Sequence, residues 1–160
     1  MEATRPLSSD HPSALYETDY VQWISATVEK LRHHDYAHVD WASLIEEIED
    51  MGKRERRSLK NDLIVLLLHL LKWQYQPTQK TGSCAGSIVE HRRRILEALK
   101  DSPSLKPYLA SVFAEAYGEG VKQAAAETML PVDTFPNECE FELKEVMDDG
   151  FLPENPRTDR

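Results

Sequence analysis

DWASLIEEIEDMGKRERRSLKNDLIVLLLHLLKWQYQP, residues 40–77, decides the fold. On a wheel of about 100° per residue, Trp41, Ile45, Ile48, Gly52, Leu59, Leu63, Leu66 and Leu70 fall within about 60° of one another. That phase predicts one amphipathic helix from Asp40 to Gln76, about 50 Å long. A glycine costs roughly 1 kcal/mol in a helix interior, so a break at Met51-Gly52 is the alternative. The stripe runs through Gly52 without losing phase, which favours continuity. The middle, KRERRSLKND, has Leu59 as its one clearly apolar residue and reads as solvated. Leu63 to Leu71 is apolar almost all round, with His69 inside it, and reads as deeply packed. Pro77 ends the helix.

Before this segment, residues 1–16 carry Pro6, Pro12 and polar residues without a period, which predicts a flexible lead-in. A first helix follows from an N-cap at Thr18 or Asp19, with Tyr20, Trp23, Ile24, Thr27, Val28 and Leu31 at three-and-four spacing. It ends near His33-His34-Asp35. After Pro77, TQKTGSCAG reads as a connection into a helix that runs to Lys100. Its start is placed by the capping-box pattern Ser87-Ile-Val-Glu90, with Ser83 as the earliest alternative. Ser102-Pro103 introduces a fourth helix whose inner side carries Leu105, Leu109, Val112, Phe113, Ala116, Tyr117, Gly120 and Ala124. Pro107 is a candidate to delay or kink its start. Gly118, Gly120 and Ala124 to Ala126 offer little bulk and suit close approach of a central neighbouring helix. A short helix is expected over Glu142–Asp148, stopped by Gly150, and residues 151–160 read as a fraying end. No segment alternates with period two. The expected fold is therefore an all-α helical bundle of four main helices with one long central helix and a short C-terminal helix. It forms a single domain over 17–153, with 154–160 as a tail.

A chain of 160 residues can bury roughly 70% of its unfolded surface, enough for a core without staples. The net charge of -9 disfavours general nucleic-acid or anionic-membrane partners. Cys84 and Cys139 form no CxxC motif or disulfide framework, which points to two free thiols in a reducing compartment. The N-terminus lacks a signal pattern, and the apolar run Leu63–Leu71 is about half a membrane span. The expectation is a soluble, cytoplasmic protein.

Several short motifs occur here in one order: Asp19-Tyr-x-x-Trp23, Leu44-Ile-Glu-Glu-Ile-Glu-Asp-Met-Gly52, His69-Leu-Leu-Lys-Trp73, Ser102-Pro-Ser-Leu105 and Glu127-Thr-x-Leu-Pro131. In that order they resemble the DUF29 family, a bacterial domain of unknown function common in cyanobacteria and proteobacteria. The resemblance spans roughly Tyr16 to Pro153. It implies a helical fold and carries no reaction, ligand or partner with it. The family usually has Ser-Trp where Ser83-Cys84 stands, so a smaller side chain plugs that position here.

The candidate chemistry is sparse. Glu46, Glu47, Glu49 and Asp50 could bind metal or move protons, but Glu49 to Lys53 and Asp50 to Arg54 are i,i+4 pairs that explain most of the cluster. Glu49 lies nearest the stripe and is the member expected to be partly buried. His69 sits among leucines with Asp62 and Trp73 on its side and needs a hydrogen-bond partner from another helix. It is 22 residues from Glu47, about 33 Å along a continuous helix, so those two cannot form one site. The polar groups available for a pocket around His69 are Glu127, Arg93 of the Arg92–Arg94 group, Asp19 and Glu49. No Glu-x-x-His repeats support a di-iron bundle, and His33, His34 and His38 lack the companions of a zinc site. TGSCAGS lacks the Gly-Lys-Ser/Thr ending of a phosphate loop. No metal or cofactor is expected.

The reading leans away from an enzyme and toward a non-catalytic, cytoplasmic helical module for protein interaction or regulation, with a protein partner or self-association. The alternative is a small-ligand-binding protein or enzyme with a polar pocket around His69. The second alternative is weak nucleic-acid binding through Lys53, Arg54, Arg56, Arg57 and Arg92–Arg94.

Overall fold

The structure, a computed structural model, describes residues 12–156. The helices are α1 (Pro12–Thr18), α2 (Tyr20–Arg32), α3 (Trp41–Tyr75), α4 (Gly82–Asp101), α5 (Lys106–Thr128) and α6 (Leu143–Val146). Short 3-10 turns stand at Tyr36–His38, Pro77–Gln79, Pro103–Leu105 and Val132–Thr134, and no strand occurs among the described residues. The four long helices and the short last one match the expected all-α architecture, and α3 continues unbroken through Gly52. The chain divides into two compact units, residues 1–53 and 54–160.

In the first unit, the stretch expected as a lead-in is helical from Pro12 onward, because Tyr16 gives it an anchor. The Tyr16 ring meets Trp23 edge-on with centroids 4.7 Å apart, and its hydroxyl donates to Glu47 Oε2 at 3.1 Å. Residues 1–11 of the lead-in lie outside the described residues. Asp19 caps α2 by accepting the Gln22 N–H at 3.0 Å. At the other end His34 adopts φ 59°, while its N–H donates to Leu31 O and the Asp35 N–H to Lys30 O. This closes the helix as a Schellman motif with a histidine where glycine is usual. Asp40 opens α3, accepting both the backbone N–H and the hydroxyl of Ser43.

Burial within this unit reverses the expectation for the stripe. Trp23, Thr27, Val39, Ser43 and Glu47 are buried, whereas Trp41, Ile45, Ile48 and Met51 are exposed. Ser43 and Glu47 lie on a different side of the helix, centred about 150° from Trp41, Ile45 and Ile48. Periodicity located an apolar face, but periodicity does not say which face the neighbouring elements cover.

In the second unit the stripe is the core. Residues 53–58 are exposed, Leu59 is buried, and Leu63 to Leu71 is buried except for Val65 and His69. Ile88 and Ile95 of α4 and Leu109, Ala116 and Ala124 of α5 join the cluster, as do Phe135, Phe141 and Val146 after α5. α4 begins at Gly82 rather than Ser87, because the Thr81 hydroxyl accepts the Cys84 N–H at 3.2 Å and serves as the cap. Pro107 sits in the first turn of α5, where its missing N–H costs nothing. α5 ends with Met129 in the left-handed region at φ 59°.

Gly120 sets how close α5 approaches α3. A Cβ there would stand 3.3 Å from Leu67 Cβ, 3.3 Å from Leu68 N and 3.4 Å from Ile64 O. Gly118, two residues away, is exposed, and a Cβ there meets nothing within 4 Å. The C-terminal stretch is packed beyond the expected end of order: Pro153 is buried, and the Phe151 ring lies 5.5 Å from Phe141. Glu142 and Glu145 form a reciprocal capping box around α6.

Gly120→Leu is expected to lose about 1–3 kcal/mol by overpacking the α3–α5 contact, while Gly118→Ala gains about 0.5–1 kcal/mol. Urea denaturation of the two variants beside the native chain checks this; equal effects at both positions would contradict the close contact.

Candidate functional site

His69 packs on α4 rather than on the polar groups expected around it. Cys84 Sγ lies 3.6 Å from His69 Nδ1 and 3.6 Å from the His69 carbonyl oxygen, to which the thiol donates. Cys84 is buried, and burial pushes its thiol pKa up. Burial also pulls the His69 imidazole below its ordinary value of 6.5; the Lys72 charge adds to that shift and Glu127 opposes it. Both shifts favour the neutral forms, so this is a thiol beside an imidazole and not a thiolate–imidazolium pair. An activated cysteine needs the opposite environment. Cys139 is likewise pushed up to about 11 by burial.

The other expected pocket residues are employed elsewhere. Glu127 takes Lys72 at 2.6 Å. Arg93 is held on its own helix by Glu90 and Glu97 at 2.9 and 2.7 Å. Asp19 caps α2, and Glu49 stands exposed on α3 while Glu47 is the buried carboxylate. Lys53 pairs with Asp50 at 2.9 Å, one residue later than the Glu49 partner expected. No group of three or more His, Cys, Asp and Glu side chains among the described residues is arranged to hold a metal ion.

Two polar arrangements in the second unit escaped sequence reasoning. Asp62, expected beside His69, instead faces α4 and meets His91 Nδ1 at 2.7 Å, with Arg94 3.8 Å away. Asp62 and Arg94 line a cavity of about 280 Å³ with Glu55, Ser58, Glu97 and Asp101. No local signal marks His91, because its partner is set by the register of α4 on α3.

The other arrangement is Arg92, 1% exposed and one of the largest fully buried side chains. Its Nε donates to Val146 O at 2.9 Å, one terminal nitrogen to Asp149 O at 3.3 Å and the other to Phe151 O at 2.9 Å. Burial lowers its pKa while the nearby Asp149 and Asp148 raise it. A guanidinium presents five donors in a fixed fork. Arg92 thus fastens the end of α6 and the following turn to α4, where the sequence had offered it as part of a nucleic-acid-binding group. Arg94 is paired with Glu90 at 2.8 Å, and Arg93 and Arg94 together pull the Glu90 carboxyl down to about 2.

These observations define a class: an all-α protein whose buried cation and histidines are spent on internal partners. The chain belongs to the DUF29 family, a domain of unknown function whose pattern matches residues 15–152. No curated protein and no solved structure matches it. Among the described residues, no helix is long and apolar enough to cross a membrane.

Arg92→Met is expected to cost at least about 3 kcal/mol by stranding three carbonyls that now accept charged donors. Hydrogen exchange should find the loss concentrated in Val146–Phe151; uniform loosening would argue against the fastening role. The depressed imidazole of His69 makes a second expectation. The unfolded chain takes up a proton as pH falls through about 6.5, and the folded chain resists it. Stability contributed by the neutral ring is therefore full above that pH and is lost progressively below it. His69→Gln should flatten the fall in stability between pH 6.5 and 5, read by urea denaturation; an unchanged slope would count against a buried neutral ring.

Proposed function

We propose that the protein is a non-catalytic helical interaction module that associates with a second copy of itself through the exposed stripe of α3. The observation that carries this reading is the reversal of burial in the first unit. Its small core holds Ser43, Glu47 and Thr27, while Trp41, Ile45, Ile48 and Met51 face outward on one helix. A contiguous apolar stripe left in water marks an interaction surface.

The stripe is complementary to itself. With two copies antiparallel and the two-fold axis between Glu46 and Glu47, Ile45 meets Ile48 of the second copy. Trp41 then meets Gly52 of the second copy, and Gly52 has nothing within 4 Å of where a Cβ would stand. The large ring thus faces the one position on the stripe with no side chain, which is the fit an isologous contact requires. The neutral Cys84–His69 pair supports a role without acid/base or thiolate chemistry. Pairing of Arg93 and Arg94 with Glu90 and of Arg92 with carbonyls supports a reading without nucleic acid. The two free cysteines suit a cytoplasmic setting. Because the family match runs through both units, residues 17–153 are taken to act as one domain.

Sedimentation of the full chain is expected to give a dimer. Ile48→Glu should weaken association at least about tenfold, or ~1.4 kcal/mol, without loss of helicity or Tm. Ile45→Cys/Ile48→Cys copies should cross-link across the axis. A native chain monomeric at all accessible concentrations would refute the proposal.

A further inference from the structure

A cavity of about 700 Å³ lies between the C-terminal end of α3 and the segment after α5, within the second unit. Gln74 and Tyr75 form one wall, and Phe141, Phe151 and Pro153 another. Gln74 is the unusual member. It is 9% exposed, it lines the cavity, and its amide makes no hydrogen bond among the described residues. Buried amides ordinarily have partners. A side chain nine-tenths buried, lining an open cavity and with its amide unpartnered by the protein, points to a ligand that supplies the partner.

The charge around the cavity gives the sign of that ligand. Glu140, Glu145 and Glu154 line it, and among the described residues no arginine or lysine does. One oxygen of Glu145 is spent on the Glu142 N–H in the capping box. Glu140 and Glu154 form no ion pair among the described residues. Lys80 donates to Oδ1 of the lining residue Asn155 at 2.8 Å and lies over the Trp73 ring at 5.3 Å. The rings of Tyr75, Phe141 and Phe151 line the cavity, and aromatic rings suit a cation because their faces carry negative potential. The Glu140 charge also acts together with burial to keep the Tyr75 phenol protonated.

We propose that this cavity binds an organic cation: a primary ammonium or guanidinium group on a flexible chain, its N–H groups donating to Gln74 Oε1 and to Glu140 and Glu154. The volume lies in the range of small-molecule sites, about 300–1,000 Å³, and exceeds what a bare ammonium fills. The carrier is therefore either a free polyamine or a basic side chain on a polypeptide. This site is separate from the α3 stripe, and its test is independent of the oligomeric state.

The full chain is titrated by calorimetry and by NMR of the Gln74 side-chain amide with two probes, spermidine and a blocked tri-lysine peptide, and with glutarate as the anionic control. At least one cationic probe is expected to bind saturably and shift the Gln74 amide, with affinity falling as salt rises, while glutarate does neither. Preference for spermidine assigns a free polyamine, and preference for the peptide assigns a basic polypeptide segment. Glu140→Gln/Glu154→Gln, which alters two exposed side chains, should weaken binding at least tenfold with Tm unchanged. Gln74→Leu should weaken binding and leave Tm equal or higher, because an unpartnered polar group is removed. Absence of binding by both cations at millimolar concentration, unchanged affinity in the double variant, or a lowered Tm in Gln74→Leu would each overturn the proposal.

Discussion

Backbone contact between α5 and α3 at Gly120 is the constraint on which the second unit depends. Three atoms of α3, in Ile64, Leu67 and Leu68, stand 3.3–3.4 Å from where a Cβ at residue 120 would lie, so a side chain there requires the helices to give by a few tenths of an ångström. Helices that approach so closely bring every neighbouring position into contact. That is why Ala116 and Ala124, small residues one turn to either side, are fully buried. With α5 fixed there, α3 is enclosed over Leu63–Leu71, and α4 supplies Ile88 and Ile95 to the same cluster.

Arg92 works on a different scale. Apolar packing is non-directional and cannot by itself hold an irregular segment whose carbonyls point inward. The turn after α6 directs the carbonyls of Val146, Asp149 and Phe151 at one guanidinium, whose planar fork satisfies all three. The buried charge is tolerated because each terminal nitrogen and Nε finds an acceptor. Through it the segment forming one wall of the Gln74 cavity is anchored to α4, so the cavity is a product of tertiary structure rather than of any local motif.

The candidate site was only partly legible in the sequence. His69 was marked by a lone polar group in a leucine run, and its need for a partner from another helix followed from hydrogen-bond accounting. The identity of that partner, Cys84, did not follow, since Cys84 stood out only as a departure from the Ser-Trp of the family. Asp62 shares a side of α3 with His69, yet it pairs with His91, because side chains one or two turns apart on a helix point to different neighbours. Gln74 carried no signal: a glutamine near a helix end is ordinary until the segment that buries it is known.

By itself the sequence determined what local physics determines: the 3.6-residue period that gives α2 to α5, the cap at Asp19, the opening of α3 at Asp40, and the small-residue face of α5. It favoured a continuous α3 with a break at Gly52 as the alternative, and the structure shows the helix unbroken. Tertiary structure alone decided which side of α3 is covered in each unit. In the first unit the covered side is that of Ser43 and Glu47, and in the second, from Leu59 on, it is the leucine stripe. The hydrophobic effect fixes how much apolar surface a chain seeks to bury, but which surface is reached depends on elements distant in sequence, and their positions are a property of the assembled fold.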